Sequence, residues 1–157
     1  MSSESVRLDV SYRQIVVHHR SLKAPFNDWS RGHVAQGFAW RPGSASFMTL
    51  NDGPHDVLIE QAEHAGELHP DAVRATEVPF ALTADEGIQV ASVADSFQVS
   101  LAPGQYSLRC EFLTPSPSQR DRVRLLFVNS DAQTFRILKA DAELTPPMPL
   151  LTAADPA

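Results

Sequence analysis

Residues 96–112 read SFQVSLAPGQYSLRCEF, and their alternation decides the fold. Phe97, Val99 and Leu101 alternate with Gln98, Ser100 and Ala102; Tyr106, Leu108, Cys110 and Phe112 alternate with Ser107, Arg109 and Glu111. Period two on both arms is the mark of strands with one buried face. Between the arms, Pro103 presets φ near −65° and Gly104 accepts a positive φ, so a type II turn fits and the stretch reads as a β-hairpin. A lone two-stranded ribbon is marginally stable, so the rest of the chain must supply an opposing layer.

The rest of the chain is built the same way. Val6, Leu8, Val10 and Tyr12, then Ile15-Val16-Val17, read as one bent strand or two short ones. Asn27 or Asp28 can cap a short helix over residues 29–36, closed by Gly37, with Trp29 as its anchor into the core. Phe38 and Trp40 face Ala45 and Phe47 across Pro42-Gly43, a second hairpin. Residues 51–54 (NDGP) form a turn. Val57 to Glu60 is a strand that runs into an acidic loop of unusual length, residues 62–71. Pro79 places the strand from Val78 to Leu82 at an edge or at its own start. Ile88 and Val90 precede the opening hairpin, residues 114–118 form a loop, and Val123, Leu125 and Phe127 alternate with Arg122 and Arg124. Phe135 to Leu138 is the last strand, and prolines 146, 147, 149 and 156 mark residues 144–157 as a disordered tail outside a domain spanning 6–143. Eight to ten short strands, one helix and no βαβ alternation predict an antiparallel β-sandwich, with a closed barrel as the second choice.

Composition narrows the class. A 157-residue chain with 43% apolar and 20% charged residues is expected to fold as one domain. There is no basic start followed by an apolar block, and no apolar run near the ~18 residues of a membrane span, so the expected location is the cytoplasm and no membrane contact is expected. Cys110, the only cysteine, lies on the inward arm and reads as a small buried hydrophobe. The net charge of −6 is unevenly spread. Residues 1–54 carry six Lys/Arg against four Asp/Glu, and residues 96–157 carry six against six. Residues 55–95 carry nine carboxylates (Asp56, Glu60, Glu63, Glu67, Asp71, Glu77, Asp85, Glu86 and Asp95) against Arg74 alone. Such a segment repels phosphates and attracts a basic partner. The plainer reading is a solvated acidic face kept for solubility.

Catalytic motifs are missing. His64, Glu67, His69 and Asp71 lie within eight residues, but their spacing matches no metal-ligand motif, and Gly66 and Pro70 put them on a loop. His18 and His19 point to opposite faces of one strand and do not converge on a metal. The close His-x-His pair of a metal-binding cupin is absent, as are a Gly-x-Ser-x-Gly nucleophile turn and a phosphate-cradling glycine loop. Arg120, Arg122 and Arg124 form a small basic row that reads as a solvated strand face, and the acidic balance speaks against direct nucleic-acid binding. No cofactor is expected.

In order along the chain, LDVSY from Leu8, Asp28-Trp29, Ala45-Ser46-Phe47, Val78-Pro79-Phe80, Gly87-Ile88 and PGQYSLRC from Pro103 resemble the competence protein J family over residues 8–115. The resemblance implies a small intracellular bacterial protein that inhibits a DNA-entry nuclease and is not itself an enzyme. The loop at 62–71 and the proline-rich tail depart from the family pattern, and no contact residue is carried over from it. Combined with the charge map, the resemblance implies that carboxylates placed like phosphates occlude the basic DNA cleft of a nuclease or other basic protein. Glu60, Glu63, Glu67 and Asp71 would form that surface, with Asp85 and Glu86 at its rim. Other classes remain open at this point: an immunity protein against a nuclease toxin, a small-ligand or carbohydrate-binding sandwich using Trp29 and Trp40, or an enzyme using the His64–Asp71 cluster.

Overall fold

The computed structural model describes residues 2–83, 87–115 and 120–157. Among these, eleven strands and one helix follow in the order β1 (Ser2–Val10), β2 (Gln14–His19), α1 (Arg31–Gln36), β3 (Phe38–Arg41), β4 (Ser44–Met48), β5 (Gly53–Ala62), β6 (Ala72–Leu82), β7 (Ile88–Ala91), β8 (Ser96–Val99), β9 (Gly104–Leu113), β10 (Asp121–Asn129) and β11 (Arg136–Lys139). A six-stranded sheet, β1-β5-β10-β9-β6-β11, faces a five-stranded one, β3-β4-β2-β7-β8. All neighbours are antiparallel except β5 and β10, and neither sheet closes into a barrel. The fold is an all-β sandwich, and among the described residues no helix is long and apolar enough to cross a membrane.

The deciding stretch is not a hairpin. β8 pairs with β7 in the five-stranded sheet, whereas β9 pairs with β6 and β10 in the six-stranded one. Residues 100–103 therefore carry the chain from one layer to the other. Gly104 sits at φ 158°, far from the value near 80° that a type II turn requires. The alternation holds as to face: Val99, Leu101, Tyr106, Leu108, Cys110 and Phe112 are all buried in the core, and Phe97 is partly buried against it. Period two tells which side of a strand is apolar, and facing layers satisfy it as well as paired strands do. Cys110 is fully buried, and burial pushes its thiol well above the ordinary range, consistent with a packing role.

The second hairpin forms as expected, with Phe38 opposite Phe47 and Trp40 opposite Ala45, and Gly43 at φ 85° in its turn. The first apolar run is two strands, β1 and β2, in different sheets. The helix is shorter than expected and starts later. Ser30 is its N-cap, reciprocally bonded with His33 in a capping box, and Gly37 at φ 81° closes it. Asn27 is instead buried, its amide donating to Ala39 O and Ser46 Oγ at 3.0 Å while Arg41 donates to its oxygen. Trp29 is half-buried before the helix, bonded to Gln14, and does not reach the core. Pro79 lies in the middle of β6. It is tolerated there because β11 pairs only with residues 75–77, so no ladder donor is needed on that side.

Residues 144–157 strap the helix. Gln36 exchanges two hydrogen bonds of 2.9 Å with the backbone of Leu151, His33 meets Ala153 O at 2.9 Å, and Thr145 N donates to Ala35 O. Leu144 is buried against Gly37. Prolines exclude a ladder, but a strap held by a glutamine side chain needs none.

Candidate functional site

β5 runs parallel to β10, β10 antiparallel to β9, and β9 antiparallel to β6, so β5 and β6 point the same way. The chain must return the full length of a strand between them. Residues 63–71 make that return across the outer face of the six-stranded sheet, and this accounts for the length of the acidic loop. Outward-facing Leu113 and Leu126 are buried.

Under the loop lies a row of alternating charges drawn from five strands. Arg124 Nε donates to Glu60 at 2.7 Å and its Nη1 to Glu111 at 3.2 Å. Arg109 stands 3.8 Å from Glu111, and Glu77 accepts from Arg136 at 2.8 Å and from Ser107 at 2.6 Å. Burial pulls the Arg124 guanidinium down, but its bonds to Glu60 and Glu111 outweigh it and hold it above its ordinary value. Burial likewise pushes Glu77 up, and the bonds from Ser107 and Arg136 bring it below the usual carboxylate range.

This row fastens the loop. His69 N donates to Glu111 at 3.1 Å, Arg109 Nη1 donates to Gly66 O at 3.1 Å, and Arg122 Nη2 pairs with Asp71 at 2.9 Å. Arg109 and Glu111 were not singled out in the sequence, where they read as the polar positions of a hairpin arm. A signal was present in the continuous apolar run Leu125-Leu126-Phe127-Val128, which marks a sheet covered on both faces.

The acidic segment is thus less acidic in space than along the chain. Arg120 pairs with Asp56, Arg122 with Asp71, and Arg124 with Glu60, so the basic row is a counter-layer to the carboxylates and not a separate solvated face. Glu63 and Glu67 are exposed on the loop and have no ion pair among the described residues. Glu60 keeps a third of its side chain exposed and Asp71 about half. Asp85 and Glu86 lie outside the described residues. The histidines of the loop do not gather: His64 is exposed, His69 Nδ1 accepts from Asp71 N, and among the described residues no three His, Cys, Asp or Glu side chains converge as metal ligands. Trp40 packs against the core with its N–H on Pro79 O.

The fold resembles the crystal structure of ComJ from Bacillus subtilis, described as the inhibitor of the DNA-degrading activity of NucA. The TM-score is 0.71 at 23% identity, covering 81% of this chain and 96% of that one. Comparison with curated proteins gives no match. Residues 7–129 match the family model of Competence protein J, a span that runs from within β1 to the end of β10 and takes in the crossover loop and all of the charge row but Arg136. The chain belongs to the competence protein J (ComJ) family.

Proposed function

We propose that this chain is a cytoplasmic, non-catalytic inhibitor that binds a nuclease and blocks its DNA cleft with the carboxylates of the crossover loop. The observation that carries the reading is family membership, together with the likeness to a protein that inhibits a DNA-degrading nuclease. The loop supplies a mechanism. Exposed Glu63 and Glu67 offer unneutralised carboxylates on a backbone already fixed by Glu111 and Arg109, so little ordering cost falls on association. Glu60 and Asp71 flank them with partly screened charge, and Asp85 and Glu86 complete the proposed rim.

The test is inhibition of DNA degradation by a purified DNA-entry nuclease, titrated at several salt concentrations. Glu63→Lys combined with Glu67→Lys is expected to weaken inhibition at least ~10-fold at low salt and to flatten its salt dependence. Both sites are exposed, so thermal stability should stay within about 0.5 kcal/mol of the parent. Unchanged inhibition and an unchanged salt slope would exclude the acidic-loop mechanism.

A further inference from the structure

At the junction of β1 and β2 the chain passes through two successive residues with left-handed backbone, Tyr12 at φ 57° and Arg13 at φ 50°. Such a pair is ordinarily given to Asn and Gly, since a bulky side chain is strained there. Arg13 has a structural reason to be present. Its guanidinium donates to Thr49 O and to both carboxylate oxygens of Glu143, at 2.6 and 2.8 Å, while its backbone N–H reaches Asp52 at 2.6 Å. Tyr12 has none. Its side chain is 80% exposed and makes no hydrogen bond among the described residues.

A cavity of about 180 Å³ opens beside the ring, lined by Tyr12, Arg13, Gln14, Trp29, Val34 and Met48. The polar groups of this lining are already engaged, Gln14 with Trp29 and Arg13 with Glu143, so what it offers a visitor is apolar surface. Val34 stands 48% exposed at its edge. The strap does not fill the slot with its leucines, because Leu144 packs on Gly37, Leu151 on Gly32 and Leu150 against the core.

We propose that Tyr12 and the slot beside it are the apolar anchor of the contact with the nuclease, receiving an apolar or aromatic side chain of that partner. This rests on the inhibitor reading and adds a second contact to it. Two observations favour the nuclease over a second copy of the chain. The slot lies at the end of the sandwich where the crossover loop lands: Val10 pairs with Gly53, Asn51 meets Asp121, and neighbouring Arg122 holds Asp71. The charge left over at its rim is also acidic: Arg13 and Glu143 pair with each other, while exposed Asp52 has no ion pair among the described residues, so the rim complements the basic surround of a DNA cleft, whereas two such rims repel each other. An apolar pocket ringed by charge is the usual anatomy of an interface hot spot.

The test compares Tyr12→Asn, Val34→Ser and, as a control on an exposed apolar residue elsewhere, Met148→Ser, by melting temperature and by inhibition of the nuclease. Tyr12→Asn is expected to melt about 2–4 °C higher, the backbone strain being relieved, and yet to inhibit about 30-fold more weakly. Val34→Ser should weaken inhibition in the same direction, and Met148→Ser should leave it unchanged. If the wild-type chain inhibits and Tyr12→Asn inhibits equally well, the anchor is wrong while the inhibitor reading stands. If the wild-type chain leaves DNA degradation untouched, the inhibitor reading falls and the anchor with it. Loss of self-association in Tyr12→Asn with inhibition intact would assign the slot to a second copy and overturn the proposal.

Discussion

Replacing Glu111 by leucine is expected to destabilise the protein by about 3–5 kcal/mol and to loosen the crossover loop. Glu111 is wholly buried beneath the loop, accepts from Arg124 at 3.2 and 3.3 Å and from His69 N at 3.1 Å, and lies 3.8 Å from Arg109. Its removal takes one of two neighbouring carboxylates from Arg124 and leaves the Arg109 guanidinium, only 8% exposed, facing Glu77 alone, and it leaves the partly buried His69 N–H without an acceptor. Urea unfolding gives the stability change, and amide exchange at residues 66–71 reports the loop. Glu111→Gln keeps an acceptor for His69 N and should loosen the loop less while still losing stability through the uncompensated charge. A loss below about 1 kcal/mol for Glu111→Leu would show that the charge row is not what fastens the loop.

The second large effect concerns Arg74, which points between the sheets with its side chain 1% exposed. Its Nη1 donates to Met48 O at 2.7 Å, its Nη2 to Asp141 at 2.9 Å and Glu143 at 2.7 Å, and its guanidinium carbon lies 5.8 Å from the centre of the Phe112 ring. Glu143 also binds Arg13, so a single carboxylate joins the β1–β2 junction to β6. Asp141→Ala with Glu143→Ala is expected to cost ~3 kcal/mol, because the guanidinium stays buried without a counter-charge. Adding Arg74→Met should recover most of that loss, since an apolar side chain needs no partner there.

The same pair sets a pH dependence. The hydrogen bond from Arg13, aided by the one from Arg74, holds the Glu143 carboxyl well below its ordinary value near 4.5, at about 2. A depressed carboxylate stabilises the fold fully above its unfolded value and loses that contribution as pH falls from about 4.5 to about 2. Glu143 is 42% exposed, so solvent screening keeps this contribution to ~1 kcal/mol or less. Glu143→Gln should remove that part of the acid sensitivity, read as a shallower fall of melting temperature over the same pH window.

How far the sequence led can be judged from particular residues. Period two at Phe97 to Phe112 identified a two-layer β fold and the inward face, because burial on one side of a pleat leaves a local signature. It did not identify the pairing, because β8 and β9 lie in opposite layers and nothing local separates a neighbour from a facing strand. Arg122 and Arg124 read as a solvated row because their partners, Asp71 and Glu60, are 51 and 64 residues away and meet them only through the crossover and the parallel pairing of β5 with β10. Local periodicity carries no trace of that pairing. The exposed carboxylates Glu63 and Glu67 were legible, since Gly66 and Pro70 place them on a loop whatever the topology. The strap was not, because its hold depends on Gln36, a polar residue that sequence alone would put in solvent.

Hydrogen exchange of the chain, alone and in complex with a DNA-entry nuclease, tests the contact through the crossover loop most directly. New protection is expected at the amides of residues 63–68 and of Tyr12 to Gln14, with the stretch from His18 to Lys23, across the other sheet, unchanged. Protection confined to His18–Lys23, with the crossover loop exchanging as freely as in the isolated chain while DNA degradation is blocked, would contradict it.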